Sequence, residues 1–222
     1  MIIISNLRHV ILSIDSLEIP SGITSVIGPN GSGKTSLLKI LSGITEPDCG
    51  SILIDGLPPR KKEIGWVNEF PDRNILFGTP YDEIASPLRF RHLPCREVDR
   101  RVRDCGGALG ITGLLTRRMK TLSGGEKVLV ALAAALVINP DVLVLDEYDS
   151  HVDAHCSERV RDLLSSHGVP YVIRCTQQME RAARSDELIY LENGRVAHKG
   201  KPADIFDSLA DSAFYPLSWR CR

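Results

Sequence analysis

The chain has 222 residues, a formal net charge of −1, and 43% hydrophobic against 25% charged residues. Those proportions describe a globular protein with room for one sizeable domain or two coupled lobes, and they exclude the strongly basic field that draws nucleic acid. The longest uninterrupted apolar run, Val128 to Ile138, is far short of the ~20 residues that a membrane span requires. Met1 to Ser5 has no basic n-region and no small-residue cleavage site, so it does not read as a signal peptide. Six cysteines, at 49, 95, 105, 156, 175 and 221, are scattered without a C-x-x-C pair. That usage fits reduced thiols better than a disulfide scaffold or a zinc ribbon.

In chain order, residues 1–27 read as a β-meander. Ile11 to Ile19 is mostly apolar, Pro20-Ser21-Gly22 supplies a turn, and Ile23 to Ile27 re-enters as a strand. Gly28-Pro29-Asn30-Gly31-Ser32-Gly33-Lys34-Thr35 follows and fits G-x-x-x-x-G-K-[ST]. From Thr35 through Ser36 to Leu41 apolar residues recur at helical spacing, so this loop joins a strand to a helix. Such a loop wraps nucleotide phosphates. Its glycines let backbone N–H groups turn inward without Cβ clashes, and the helix N-terminus adds partial positive charge. Lys34 then reaches the β- and γ-phosphates, and the Thr35 hydroxyl ligates Mg²⁺. The helix ends near Ser42, with Gly43 as its C′ residue.

Gly50 to Gly56 is another short strand closed by Asp55-Gly56, and Lys61 to Val67 leads into a third that ends at Pro71. From Pro71 to Lys120 arginines become frequent and β-branched runs rare, which reads as a helical insertion with Val98 to Leu109 as one helix. Leu122 to Glu126 opens a further helix, Lys127 to Ile138, apolar nearly all round and therefore buried. Val142 to Leu145 is a continuous apolar strand of the kind found inside a parallel sheet, and it ends in Asp146-Glu147. A helix from about Ala154 to His167, a strand from Tyr171 to Cys175 and a helix from Met179 come next. The strand Leu188 to Leu191, a turn at Glu192-Asn193-Gly194 and a last strand complete the core. Strands alternating with helices argue an α/β parallel sheet with the phosphate loop at the carboxyl ends of its strands. Two acids at such a strand end face the phosphates: Asp146 helps hold Mg²⁺ through water, and Glu147 polarises the attacking water as general base.

Leu122-Ser123-Gly124-Gly125-Glu126 lies between the phosphate loop and the Asp146-Glu147 strand, and it resembles the signature motif of the ABC-type ATPases. Ser123 and the backbone amides of Gly124 and Gly125, at a helix N-terminus, form a second anion site. In that family the site binds the γ-phosphate held by the phosphate loop of a partner subunit, so ATP joins two chains head to tail. Ser150-His151-Val152-Asp153 resembles the family's D-loop, which carries the inter-subunit contact. Gly194-Arg195-Val196 and Gly200 to Phe206 resemble its closing segment, so the resemblance spans residues 1–206. Phe70 to Thr79 and Asp82-Glu83-Ile84-Ala85 are similar to the cobalt and energy-coupling-factor importer ATPases.

The resemblance implies an α/β fold with a P-loop NTPase (RecA-like) core, an antiparallel β subdomain and an inserted α-helical subdomain. The core is expected at 1–70 and 137–206, the helical subdomain at 71–136, and a tail at 207–222. It implies an ATPase acting as the ATP-binding subunit of an importer, peripheral on the cytosolic face of the membrane, paired with a second ATPase subunit and an integral membrane permease. Nucleic acid is not an expected partner. The implied ATP contacts are Gly28, Pro29, Asn30, Gly31, Ser32, Gly33, Lys34, Thr35, Ser36, Ser123, Gly124, Gly125, Glu126, Asp146 and Asp153. Thr35, Asp146 and Glu69 are the implied Mg²⁺ ligands, and Glu147, Gln177 and Glu69 the implied catalytic groups.

Three positions depart from the family pattern. Glu69 stands where the family has a Gln that touches Mg²⁺ and the attacking water, which adds negative charge beside the γ-phosphate. Gln177 stands where the family has a His on the γ-phosphate; an amide donates a hydrogen bond but carries no charge, and charge-assisted bonds are roughly twice as strong. No aromatic precedes Trp66, so the ring that stacks on adenine in the family is missing, with His9 as a weak stand-in. The expectation is that ATP binding and dimerisation survive while hydrolysis is slowed; the alternative is a low-turnover clamp or the degenerate half of a heterodimer. His151, Asp153, His155 and Cys156 have metal-ligand types, but the D-loop resemblance already accounts for the first two. The aromatic tail Phe214 to Trp219 is expected to pack on the core or on a partner.

Overall fold

The computed structural model describes residues 1–70, 75–148, 160, 164 and 168–219. In chain order these include β1 (Ile2–His9), β2 (Leu12–Ile19), β3 (Gly22–Ile27), α1 (Lys34–Leu41), β4 (Cys49–Ile54) and β5 (Ile64–Val67). Next come α2 (Pro80–Phe90), α3 (Cys95–Ala108), α4 (Gly124–Leu136), β6 (Val142–Asp146) and β7 (Tyr171–Cys175). The last are α5 (Met179–Ala182), β8 (Glu187–Glu192), β9 (Arg195–Gly200) and α6 (Pro202–Ser208). The chain divides into two compact units, Met1–Lys62 with Pro170–Arg222, and Glu63–Val169.

In the first unit β1 pairs antiparallel with both β2 and β4. Ile2, Ile4 and Leu7 of β1 and Leu12, Ile14, Leu17 and Ile19 of β2 are buried, the period-2 pattern of a sheet with one covered face. The expected meander stops there. β3 does not add to this sheet; it pairs in parallel with β7 and β8, and β9 pairs antiparallel with β8. The reason is burial: Thr24, Ser25, Val26 and Ile27 are all inside. A strand covered on both faces belongs inside a parallel sheet. Gly22, at φ +112°, redirects the chain there, and the Ile23 N–H donates to Asp186 Oδ2 at 2.8 Å to secure the entry.

α1 buries Leu37, Leu38, Ile40 and Leu41 and ends at Ser42, with Gly43 left-handed at φ +69°, as its place in the sequence requires. The aromatic tail packs on the core of its own unit. Phe214 meets Tyr190 edge-on with ring centroids 5.5 Å apart, and Trp219 meets Phe206 at 5.5 Å. The Leu217 N–H donates to Glu180 Oε1 of α5 at 3.0 Å.

In the second unit β5 and β6 run parallel, and α2, α3 and α4 form the helical part. α2 starts at Thr79, whose hydroxyl oxygen accepts from the Asp82 N–H at 3.2 Å, with Pro80 next and Asp82 and Glu83 in the first turn. Each of these favours an N-terminus. α4 begins at Gly124, three residues ahead of the expected Lys127, because Ser123 caps it. A Cβ on Gly65 of β5 would lie 2.6 Å from the Ala135 carbonyl oxygen, so α4 approaches β5 closely only because that residue is glycine. All five residues of β6 are buried, as its unbroken apolar run implies. The helix expected from Ala154 to His167 falls outside the described residues. No helix among the described residues is long and apolar enough to cross a membrane.

Candidate functional site

β3 delivers the chain at Ile27 into the loop Gly28–Gly33. Gly28 has φ +146°, and a Cβ there would lie 2.0 Å from the Leu191 carbonyl oxygen of β8, so only glycine makes this turn. Gly33, at φ +102°, is the N-cap of α1; it offers no side-chain cap, and no acid occupies the first turn. With no capping side chain or acid at it, the positive end of the helix suits an anion. Lys34, 6% exposed, folds over the loop, its Nζ donating to the Gly28 oxygen at 2.9 Å and the Pro29 oxygen at 3.0 Å. Ser32 is 3% exposed, and its Oγ is buried with no hydrogen-bond partner among the described residues. A hydroxyl left so costs about 1–3 kcal/mol, which a phosphate oxygen would relieve. Thr35 and Ser36 lie in the first turn of α1. These residues fit a Mg-nucleotide triphosphate.

β7 lies beside β3 with Val26 opposite Cys175, so the two strands finish together. Gln177 therefore leaves β7 at the same end at which the phosphate loop leaves β3. Thr176 is buried, its Oγ1 accepts from the Gln178 N–H at 3.1 Å, and Gln177 is exposed in the turn between them. The loop has one further support that the sequence pattern left as a plain turn. The Gly194 N–H donates to the Ser32 oxygen at 3.1 Å, and the Ser13 N–H donates to the Gly194 oxygen at 2.8 Å. A Cβ on Gly194 would sit 1.8 Å from the Ile11 carbonyl oxygen, so this glycine lets the β1–β2 turn close on the phosphate loop.

In the second unit Val67 of β5 lies opposite Leu145 of β6, so Glu69 and the Asp146-Glu147 pair leave neighbouring strands at the same end. Asp146 is 8% exposed. Glu147 adopts φ +45°, a left-handed conformation uncommon outside glycine, and such strain collects at functional sites. Glu69 is half-buried, and Asn68 beside it accepts from Trp66 Nε1.

Ser123 and Glu126 form a capping box. The Glu126 N–H donates to Ser123 Oγ at 3.2 Å, and the Ser123 N–H donates to Glu126 Oε2 at 2.7 Å. Arg117 Nη1 adds a bond to Glu126 Oε1 at 3.2 Å. The Ser123 N–H first, then the Ser123 hydroxyl and Arg117, hold the Glu126 carboxyl below the usual range against the pull of partial burial. Ser123 and Gly124 stay exposed. A Cβ on Gly125 would meet nothing within 4 Å among the described residues. Asp153 and the rest of Ser150–Asp153 lie outside the described residues, as do His155, Cys156 and residues 71–74.

The family model described as ABC transporter matches residues 12–150. The chain is 38% identical over 193 residues to the molybdate/tungstate import ATP-binding protein WtpC of Pyrococcus horikoshii, covering 82% of this chain and 55% of that protein. It is 43% identical over 197 residues to the same-named protein of Pyrococcus abyssi, covering 84% and 56%. It is 34% identical over 192 residues to the energy-coupling factor transporter ATP-binding protein EcfA1 of Latilactobacillus sakei, covering 82% and 69%. The chain thus spans little more than half the length of its Pyrococcus relatives. Among solved structures, CbiO1 of Clostridium perfringens, described as part of the ABC transporter complex CbiONQ, matches with a TM-score of 0.84 at 26% identity, over 93% of this chain and 90% of that one. A dimeric ATP-binding cassette in a post-hydrolysis state with ADP and Pi shares the fold, with a TM-score of 0.81 at 24% identity over 91% and 99%. With a family model across most of its length and relatives above 30% identity, this chain belongs to the ATP-binding family of the ABC transporters.

Proposed function

We propose that this chain is the ATP-binding subunit of an ABC importer, working in pairs on a separate membrane permease from the cytosolic face. The observation that carries the reading is the loop Gly28–Gly33, with Lys34 folded over it and the buried Ser32 hydroxyl left without a partner among the described residues. The importer assignment is supported by the names of the relatives, which describe molybdate/tungstate import and an energy-coupling factor transporter. The solute itself is chosen by other subunits. Residues 71–136 are the proposed contact with the permease.

In this reading the N–H groups of the loop and of the first turn of α1, with Lys34, hold the β- and γ-phosphates. Thr35, Asp146 and Glu69 hold Mg²⁺, which when bound neutralises charge on the β- and γ-oxygens. Glu147 takes the proton of the attacking water, and Gln177 donates a neutral hydrogen bond to the γ-phosphate. The Ser123 hydroxyl and the amides of Gly124 and Gly125 face the γ-phosphate held by a partner chain, with Asp153 at the contact between subunits.

A second reading, a nucleotide-gated partner with little turnover, draws on Gln177 and Glu69. Steady-state ATP hydrolysis and ATP-dependent dimerisation, each compared with Glu147→Gln, decide between them. Turnover abolished by the substitution establishes the ATPase. Dimers without turnover move the chain to the second reading, and absence of nucleotide binding overturns both.

A further inference from the structure

We propose that Arg174 is a positioning residue for ATP hydrolysis: its buried guanidinium holds the turn that carries Gln177 at a fixed place beside the phosphate loop. The inference rests on the reading of Gln177 as the group that donates to the γ-phosphate.

Arg174 is the only buried arginine among the described residues, at 7% exposed. The strand around it, β7, is buried along its whole length, and its other members include Val172 and Ile173. An apolar side chain at 174 would fill that interior without the cost of taking a guanidinium out of water. A charge kept inside at such a cost points to what its hydrogen bonds fix.

Those bonds run to two elements. Arg174 stands opposite Ser25 in the parallel pairing of β3 and β7, and its Nε donates to Ser25 Oγ at 2.8 Å. Ser25 is itself fully buried, and three residues further on the chain reaches Gly28, where the phosphate loop begins. The other arm, Nη2, donates to the Arg181 carbonyl oxygen in the last turn of α5. That bond closes residues 174–181 into a ring, with Gln177 near its middle in the exposed turn. Inside the ring the Gln178 N–H donates to Thr176 Oγ1 at 3.1 Å, which tightens the turn. Met179 and Ala182 seat α5 in the apolar core of the same unit.

One planar group thus ties together the strand before the phosphate loop, the strand before Gln177 and the helix after it. The donors of a guanidinium are fixed relative to one another, which those of an ammonium on a flexible stem are not. Such fixing bears on rate. Misplacing a reacting or stabilising group by about 1 Å costs on the order of 100-fold. Gln177 lies in a surface turn that its own exposed side chain cannot anchor, and Arg174 supplies the anchor from inside.

The test is hydrolysis of Mg-ATP by the full chain carrying Gln177→Ala, Arg174→Met or both, in steady state and in a single turnover. Methionine keeps the unbranched stem and removes the donors. Gln177→Ala should lower kcat by about 10-fold, the worth of one hydrogen bond. KM for ATP should stay within about 2-fold, the pattern of an interaction made in the transition state. Arg174→Met should show the same split, and the double variant should be no slower than the slower single variant. Hydrogen exchange on the same proteins should quicken at residues 176–183 in Arg174→Met and hold in α1. Wild-type kcat or wild-type exchange in Arg174→Met overturns the positioning role. So do losses that multiply in the double variant, or a loss carried wholly by KM. Should Arg174→Met fail to fold, Ser25→Ala removes only the acceptor of Nε and carries the same test, with a loss in kcat of about 3-fold. If Gln177→Ala leaves kcat unchanged, or the wild type does not turn ATP over, the reading of Gln177 itself falls and takes the positioning role with it.

Discussion

Ser123 has two duties, and substitution can separate them. Ser123→Ala removes the oxygen that accepts from the Glu126 N–H at 3.2 Å but keeps the Ser123 N–H to Glu126 bond at 2.7 Å, because that donor is backbone. One of the two reciprocal bonds of the cap is lost. Losing an N-cap acceptor costs about 1 kcal/mol, and in a chain of 222 residues that lowers Tm by roughly 2–4 °C. Ser123→Asp restores the acceptor, and aspartate caps as well as serine and suits the positive end of a helix, so Tm should return to within about 1 °C of wild type. The second duty goes the other way. Aspartate replaces a hydroxyl donor with a carboxylate where a partner's γ-phosphate is proposed to sit, so ATP-dependent dimerisation should be lost. Calorimetry for Tm and light scattering with and without ATP, on the same three proteins, read both. If Ser123→Asp keeps both its Tm and its ATP-dependent dimers, Ser123 is a helix cap and nothing more. The cap also has a pH signature. Glu126 is held below its ordinary value of 4.5, so its contribution is fully present above that pH and is lost as pH falls through the lower folded-state value. Wild type and Glu126→Gln should differ in Tm above pH 5 and converge in acid; a constant difference would refute the assignment.

Gln177→His should raise turnover several-fold at unchanged ATP affinity, since a charged donor bonds a phosphate oxygen about twice as strongly as an amide. An equal or lower rate would show that Gln177 does not limit hydrolysis. Gly28→Ala forces a Cβ to within 2.0 Å of the Leu191 carbonyl, at a φ that alanine avoids. The variant should lose nucleotide binding and more than about 2 kcal/mol of stability, measured by urea unfolding; wild-type stability would contradict the close approach. Burial pushes the Cys105 thiol up to about 12, so it stays protonated at pH 8. N-ethylmaleimide followed by peptide mapping should mark the exposed Cys49 and Cys95 and spare Cys105, and equal labelling would refute its burial.

Local chemistry was legible in the sequence wherever a few neighbouring residues decide the outcome. The helix-opening Lys34 after Gly33, Gly43 just past the end of α1 and the Thr176 turn after Cys175 each depend on residues within a turn or two, and each falls where its residues place it. Pairing between distant segments was not legible. The apolar run before Gly28 reads equally as the third strand of a meander or as the middle of a parallel sheet, and only β7 and β8, far along the chain, decide between them. The start of α4 was placed late because Gly124 and Gly125 are poor helix formers, and the capping box overrode their propensity.

The pairing of β3 with β7 also orders events during synthesis. Ser25 of β3 and Arg174 of β7 share a hydrogen bond across 149 positions of sequence. Closing a loop of that length costs about 4 kcal/mol in chain entropy before any contact offsets it. Residues 63–169 are all synthesised before β7, β8 and β9, and at about 5–20 residues per second most of them have several seconds to fold first. The strand that carries the phosphate loop is among the earliest parts made, yet it has no neighbours on either side until residues 171–192 arrive. A chain that stops short of residue 171 leaves the strand of the phosphate loop unpaired, so nucleotide binding is expected to stabilise only chains that extend past β7 and β8.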